Sequence, residues 1–102
     1  MSFAPMQAEI DQWITSYTRG YFSPLQMVAR LAEELGELSR AVSHGAGEKK
    51  PKPGEAPGDI ADELCDLLFV AICLANAQHI DLDQAWEGLR RKLYERDANR
   101  WK

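Results

Sequence analysis

Apolar positions in this chain recur every three or four residues, the period of a helix, and no stretch alternates as a strand would. Ile10, Trp13, Ile14 and Tyr17 make the first such series, which predicts a helix from about Pro5 to Thr18, stopping before Gly20. Leu25, Val28, Leu31, Leu35, Leu38 and Val42 make the second and read as one apolar stripe. Its start is marked by Ser23-Pro24-Leu25-Gln26: a hydroxyl to cap, a proline where a missing N–H costs least, and a glutamine able to reach back. That helix should stop near His44, before Gly45 and Gly47.

A third helix is expected from about Asp59 to Gln78. It is amphipathic at first, then apolar all round from Leu67 to Ala75, and a segment of that kind needs cover on more than one side. Asp81-Leu82-Asp83-Gln84 is a second capping box and opens a fourth helix running to about Arg96. Between the second and third helices, Glu48 to Gly58 carries three lysines, three prolines and two glycines and has no apolar period. It reads as a connection between antiparallel neighbours, with a lysine-bearing flap as the functional alternative. The expectation is an all-α, four-helix chain forming one domain over residues 1–102.

Composition narrows the function classes. The net charge is −4, yet six basic residues against two acids make Arg90–Lys102 a +4 segment, leaving −8 on the rest. An acidic majority argues against nucleic-acid binding, while the basic tail suits a small anion. Cys65 and Cys73 fall on one helix about 12 Å apart, too far for a disulfide. The longest apolar run, nine residues, falls short of the roughly twenty that cross a bilayer, and the N-terminus resembles no secretory signal. The expectation is no membrane and a cytoplasmic location.

The chemistry lies in five acids. Glu33, Glu34 and Glu37 on the second helix, and Glu63 and Asp66 on the third, stand three or four residues apart, so each set shares a helix face. Like charges so placed repel, and a cation reverses that penalty. At about 100° per residue, Glu34 and Glu37 should lie roughly 90° and 150° from the stripe centred on Leu31 and Leu35. Glu63 and Asp66 share a sector with Val70 and Cys73. Packed antiparallel, the two acidic faces would pool four or five carboxylates, a donor set suited to Mg²⁺ or Mn²⁺. A di-iron bundle wants Glu-x-x-His, and no histidine stands here. Either motif alone is common on a solvated helix face.

Ala32-Glu33-Glu34-Leu35-Gly36-Glu37-Leu38, followed after a spacer by Asp62-Glu63-Leu64-Cys65-Asp66-Leu67-Leu68, resembles the paired signature of MazG-like nucleoside triphosphate pyrophosphohydrolases; twenty-five residues separate Glu37 from Glu63. Tyr21-Phe22-Ser23-Pro24-Leu25 and Arg96-Asp97-Ala98-Asn99-Arg100-Trp101 resemble a small bacterial single-domain subgroup of the YpjD type. The resemblance implies a four-helix fold whose central antiparallel pair dimerises into a four-helix-bundle core, as a homodimer or a dimer of dimers. It implies cleavage of a (deoxy)nucleoside triphosphate to monophosphate and pyrophosphate, with house-cleaning of unwanted nucleotides as the expected role.

Carried over by position, Glu34, Glu37, Glu63 and Asp66 would hold Mg²⁺. Glu33 would be a further acid, and either it or Glu37 could act on the attacking water. Lys92, Arg96 and Arg100, four apart, are candidates to stabilise the leaving pyrophosphate. Asn76 could read a base or sugar, and Trp13 could stack on a base. Two alternatives stay open: a phosphoribosyl-ATP pyrophosphohydrolase, and a non-catalytic helical dimerisation or regulatory module.

Overall fold

The structure, a computed structural model, describes residues 2–45, 53 and 58–96. In chain order come α1 (Phe3–Thr15), α2 (Pro24–Gly45), α3 (Ile60–Ala77) and α4 (Leu82–Arg91), and a π-helical turn at Lys92–Arg96 continues α4. No strand occurs among the described residues, and no helix among them is long and apolar enough to cross a membrane. The chain divides into two compact units. Phe22–Leu74 holds α2 and most of α3; Met1–Tyr21 with Ala75–Lys102 holds α1, the end of α3 and α4.

In the first unit, α2 begins on the expected box. Ser23 Oγ accepts from the Gln26 amide at 3.2 Å, and Gln26 Oε1 accepts from the Ser23 amide at 2.9 Å. Asp59 starts α3 by accepting from the amides of Ala61 and Asp62. The two helices run antiparallel. A side chain at Gly45 would meet Ile60, one at Gly58 would meet Ala41, and further back Glu34 faces Glu63 and Asp66. Gly58 is required here: a Cβ would come within 2.7 Å of the Ala41 Cβ.

The helix faces differ from the single stripe expected of α2. Met27 and Ala41 are buried and Leu31, Glu34 and Leu38 half-buried, so this line faces the unit's interior. Leu25, Val28, Leu35 and Val42 are exposed. On α3 the inward line is Glu63, Leu67, Val70 and Leu74, and Ile60, Leu64 and Leu68 are exposed. Much of the stretch expected to need a partner's cover is covered within one chain: Val70, Ile72, Cys73 and Ala75 are all buried. Within this unit, exposed apolar side chains lie instead on the outer lines of α2 and α3. Both cysteines are free thiols, and burial pushes that of Cys73 up.

In the second unit, α1 starts earlier and stops earlier than its apolar period predicts. Ser2 offers no side-chain cap. The cap comes from far along the chain: the Asp83 carboxylate accepts from the amides of Phe3 (3.0 Å) and Ala4 (3.1 Å). Phe3 and Trp86 pack 5.9 Å apart on the same contact. At its other end α1 closes at Ser16, whose amide bonds to Trp13 O.

α3 ends in a Schellman turn: the Ile80 amide donates to Ala75 O and that of His79 to Asn76 O. The left-handed position, usually glycine, is His79 at φ 56°. Asp81 then caps α4 through the Gln84 amide at 3.2 Å. The α-helix stops at Arg91, short of the expected Arg96, where the backbone changes to π pairing.

Candidate metal centre

Glu34, Glu63 and Asp66 converge. One carboxylate oxygen from each lies within 4.8 Å of the others. The helix faces explain why. Glu34 interrupts the inward line of α2 between Leu31 and Leu38, and its side chain is 14% exposed. Glu63 heads the inward line of α3, with Asp66 one turn on at its rim. The expected offset of Glu34 from the α2 stripe therefore needs correcting: the inward line runs through Met27, Leu31, Leu38 and Ala41, with Glu34 on it.

No donor relieves two of the three acids. Among the described residues the carboxylates of Glu63 and Asp66 have no hydrogen bond or ion pair. Partial withdrawal from water raises the Glu63 carboxyl above its ordinary value; the charges of Asp66, Glu37, Glu34 and Asp62 raise it further. Glu34 has one counter-charge, the Arg30 guanidinium at 3.4 Å. Glu37 stands outside the converging trio, with Arg40 at 3.2 Å, yet its charge still reaches Glu63. Glu33 is exposed on α2.

The donor set fits a hard divalent cation. It is made of carboxylate oxygens alone, with no sulfur or imidazole to favour softer metals. A few carboxylates with positions left over suit Mg²⁺, which keeps waters and shares itself with phosphates.

The other expected site residues belong to the second unit. Trp13 is about half exposed on α1 (53%), its ring edge-on to Tyr17 at 5.3 Å. Lys92 and Arg96 are exposed in the π-helical turn, and Arg100 lies outside the described residues, as does most of the 48–58 connection. Asn76 is committed within its unit. Its amide nitrogen donates to Gln7 O and Tyr21 Oη, each at 3.0 Å, and its oxygen accepts from Gln7 Nε2 at 2.9 Å. Tyr21 in turn donates to Asp11 at 2.6 Å, and Gln7 also bonds Ile80 O and the Leu82 amide. This clasp borders an open hollow of about 780 Å³ that Asp81, Asp83 and His79 also line.

The sequence reading overlooked two groups. Arg30 and Arg40 were visible as basic residues at i−4 from Glu34 and i+3 from Glu37. The Gln7–Asn76–Tyr21 clasp had no local signal, since its members are far apart in the chain.

Comparison with known proteins agrees with this architecture. The model of the MazG nucleotide pyrophosphohydrolase domain matches residues 22–101. The uncharacterised protein YpjD of Bacillus subtilis (strain 168) is 48% identical over 96 residues, covering 94% of this chain and 86% of its own. Among solved structures, a Bacillus-conserved MazG protein described as a nucleotide pyrophosphohydrolase superposes with a TM-score of 0.78 at 44% identity, covering 91% of this chain and 90% of that one. The crystal structure of B. subtilis YpjD superposes with a TM-score of 0.79 at 46% identity, over 90% and 94% respectively. A doubled acidic motif whose carboxylates meet across an antiparallel helix pair, in a chain so matched, makes this protein a member of the MazG nucleotide pyrophosphohydrolase family.

Proposed function

We propose that the chain is a Mg²⁺-dependent pyrophosphohydrolase that cleaves (deoxy)nucleoside triphosphates to the monophosphate and pyrophosphate, in a house-cleaning role in the cytoplasm. The observation that carries this is the meeting of Glu34, Glu63 and Asp66 around one point, with no donor on the Glu63 or Asp66 carboxylate among the described residues. Mutually repelling carboxylates held half out of water are kept in order to share a cation. Glu34, Glu63 and Asp66, with Glu37 beside them, would hold Mg²⁺, Mn²⁺ being the substitute.

When bound, the ion supplies an attachment for phosphate oxygens and a more acidic water. Glu33 or Glu37 would take the proton from that water. Lys92, Arg96 and Arg100 are the proposed partners of the departing pyrophosphate, and Trp13 of the base. Asn76 is left out of this assignment, its amide being spent in the clasp.

A second copy completes the proposal. The exposed lines Leu25–Val28–Leu35–Val42 and Ile60–Leu64–Leu68 are more apolar surface than a monomer of this size leaves in water without use. Facing the same lines of another chain, they would form a four-helix-bundle core. Light scattering that finds a stable monomer at micromolar concentration would overturn the dimer.

The enzymatic test is a panel of dNTPs and NTPs with Mg²⁺, read by pyrophosphate release. Release is expected from the wild type and expected to vanish in Glu34→Gln and Glu63→Gln proteins. No release from any nucleotide, together with no Mg²⁺ binding by calorimetry, would sink the reading.

A further inference from the structure

A triphosphate carries several negative charges, and the acidic centre faces it with few positive ones. Among the described residues of Phe22–Leu74 the lysines and arginines number two, Arg30 and Arg40. They are not equivalent. At about 100° per residue, Arg30 lies about 40° from Glu34 and about 20° from Glu37, one turn toward the start of α2. Arg40 lies about 120° from Glu34. Arg30 therefore shares the sector that faces Glu63 and Asp66, and Arg40 stands beside it.

Arg30 also touches the centre. Its Nη2 is 3.4 Å from Glu34 Oε1, while its own side chain is 50% exposed. One guanidinium nitrogen thus meets the carboxylate proposed to bind the cation, while the side chain as a whole stays open enough to reach an incoming anion. An i,i+4 ion pair so exposed stabilises a fold little, so the contact is easily exchanged. Once Glu34 gives its oxygens to a divalent cation, Arg30 loses its partner and meets like charge. A phosphate on that same cation then offers Arg30 an anion beside its former partner, and the planar guanidinium matches phosphate oxygens with two parallel donors.

We propose that Arg30 is a phosphate-binding residue that trades Glu34 for a non-bridging oxygen of the nucleotide's phosphate chain. The proposal rests on the functional reading above and adds a residue to it. It also gives Arg30 two effects of opposite sign: a competitor of the metal before substrate arrives, and a ligand of the substrate afterwards.

The opposed signs make the test. Arg30→Met keeps the side chain's length and removes its charge; Arg30→Lys keeps the charge and loses the fork. Arg90→Met is the control, since Arg90 forms a comparable exposed pair with Glu87 at 3.4 Å on α4. Mn²⁺ titration by calorimetry without nucleotide should show Arg30→Met binding the ion as tightly as the wild type or up to about 5-fold tighter. Binding of an α,β-methylene triphosphate in the presence of Mg²⁺ should weaken by about 10- to 100-fold, the range for losing a hydrogen bond to a charged group. KM should rise by a similar factor with kcat less affected. Arg30→Lys should recover part of the loss, and Arg90→Met should change neither quantity.

Unchanged binding of the analogue by Arg30→Met would overturn the proposal while leaving the enzymatic reading intact. Parallel weakening of metal and analogue would also overturn it, making Arg30 only a support for Glu34. A wild type that binds Mn²⁺ but neither binds the analogue nor releases pyrophosphate would sink both.

Discussion

The acidic centre between α2 and α3 and the unit built around α1 and α4 use acidic side chains in opposite ways. Around α1 and α4, Asp83 receives two backbone amides, Asp81 one and Asp11 the Tyr21 hydroxyl. Those carboxylates finish helices and fasten α1 to the end of α3. Between α2 and α3, the Glu63 and Asp66 carboxylates face Glu34 with no donor of their own among the described residues. A carboxylate given donors holds the fold together, and one denied them raises the energy of the fold and lowers that of a bound cation. Local sequence separates the two kinds only in part: the Asp81-Leu82-Asp83-Gln84 box marks Asp81 as a cap, but nothing local marks Asp83 as the cap of α1.

Glu63→Gln should break the contrast most strongly. Loss of a carboxylate from the centre is expected to cut metal affinity and pyrophosphate release by on the order of 100-fold or more. The metal-free protein should nonetheless melt higher than the wild type, because one of the repelling charges is gone. Calorimetry and thermal melts on the same sample check both. A variant that loses stability and metal binding together would show Glu63 to be a structural acid like Asp83.

In the clasp the expectation is the reverse. Asn76→Ala leaves Gln7 and Tyr21 without their partner and should cost about 2–3 kcal/mol in denaturant unfolding. Asp83→Ala uncovers two amides at the start of α1 and should cost about 1 kcal/mol. Neither should change Mn²⁺ affinity in the folded protein. A change of several-fold would mean that the two sets of acids do not act independently.

How far this division could be seen in advance depends on the range of the forces behind it. The capping box at Ser23–Gln26 acts over a few residues and appears as read; the doubled acidic motif is equally local, and Glu34, Glu63 and Asp66 of it come together. Two things were not legible. The cap on α1 comes from Asp83, so the local period of Ile10, Trp13 and Ile14 set both ends of that helix a few residues late. The inward face of α2 was the other: Leu25, Val28, Leu35 and Val42 outweigh Met27 and Ala41 in apolar bulk, so periodicity chose the outer line. The inner line mixes Met27, Leu31 and Leu38 with Ala41, where the chain approaches closely at Gly58, and with a glutamate that apolar periodicity does not count. Arg30 was legible by spacing alone, but its meaning needed the position of Glu63.

His79 tests a smaller feature of the clasped unit. A β-carbon at φ 56° costs energy that glycine avoids. His79→Gly should stabilise the protein by up to about 1 kcal/mol, with metal affinity unchanged. Destabilisation would mean that the imidazole contributes more through the hollow it lines than the backbone loses.

The finest test of the comparison is pH. Glu63 binds its proton more tightly in the folded chain than in the unfolded one, so folding takes up protons between the ordinary glutamate value and the raised one. Stability of the metal-free protein should therefore fall as pH rises through that window and level off above it. Glu63→Gln has no such group, so its melting advantage should be absent at the acid end, grow across the window and stay constant at neutral pH. Saturating Mg²⁺ should reverse the order, since the wild type alone then gains a ligand for its charge. The donor-rich acids of the other unit predict no such crossing for Asp83→Ala, whose deficit should persist with and without the ion. A crossing there, or none at Glu63, would remove the distinction between the two sets of carboxylates.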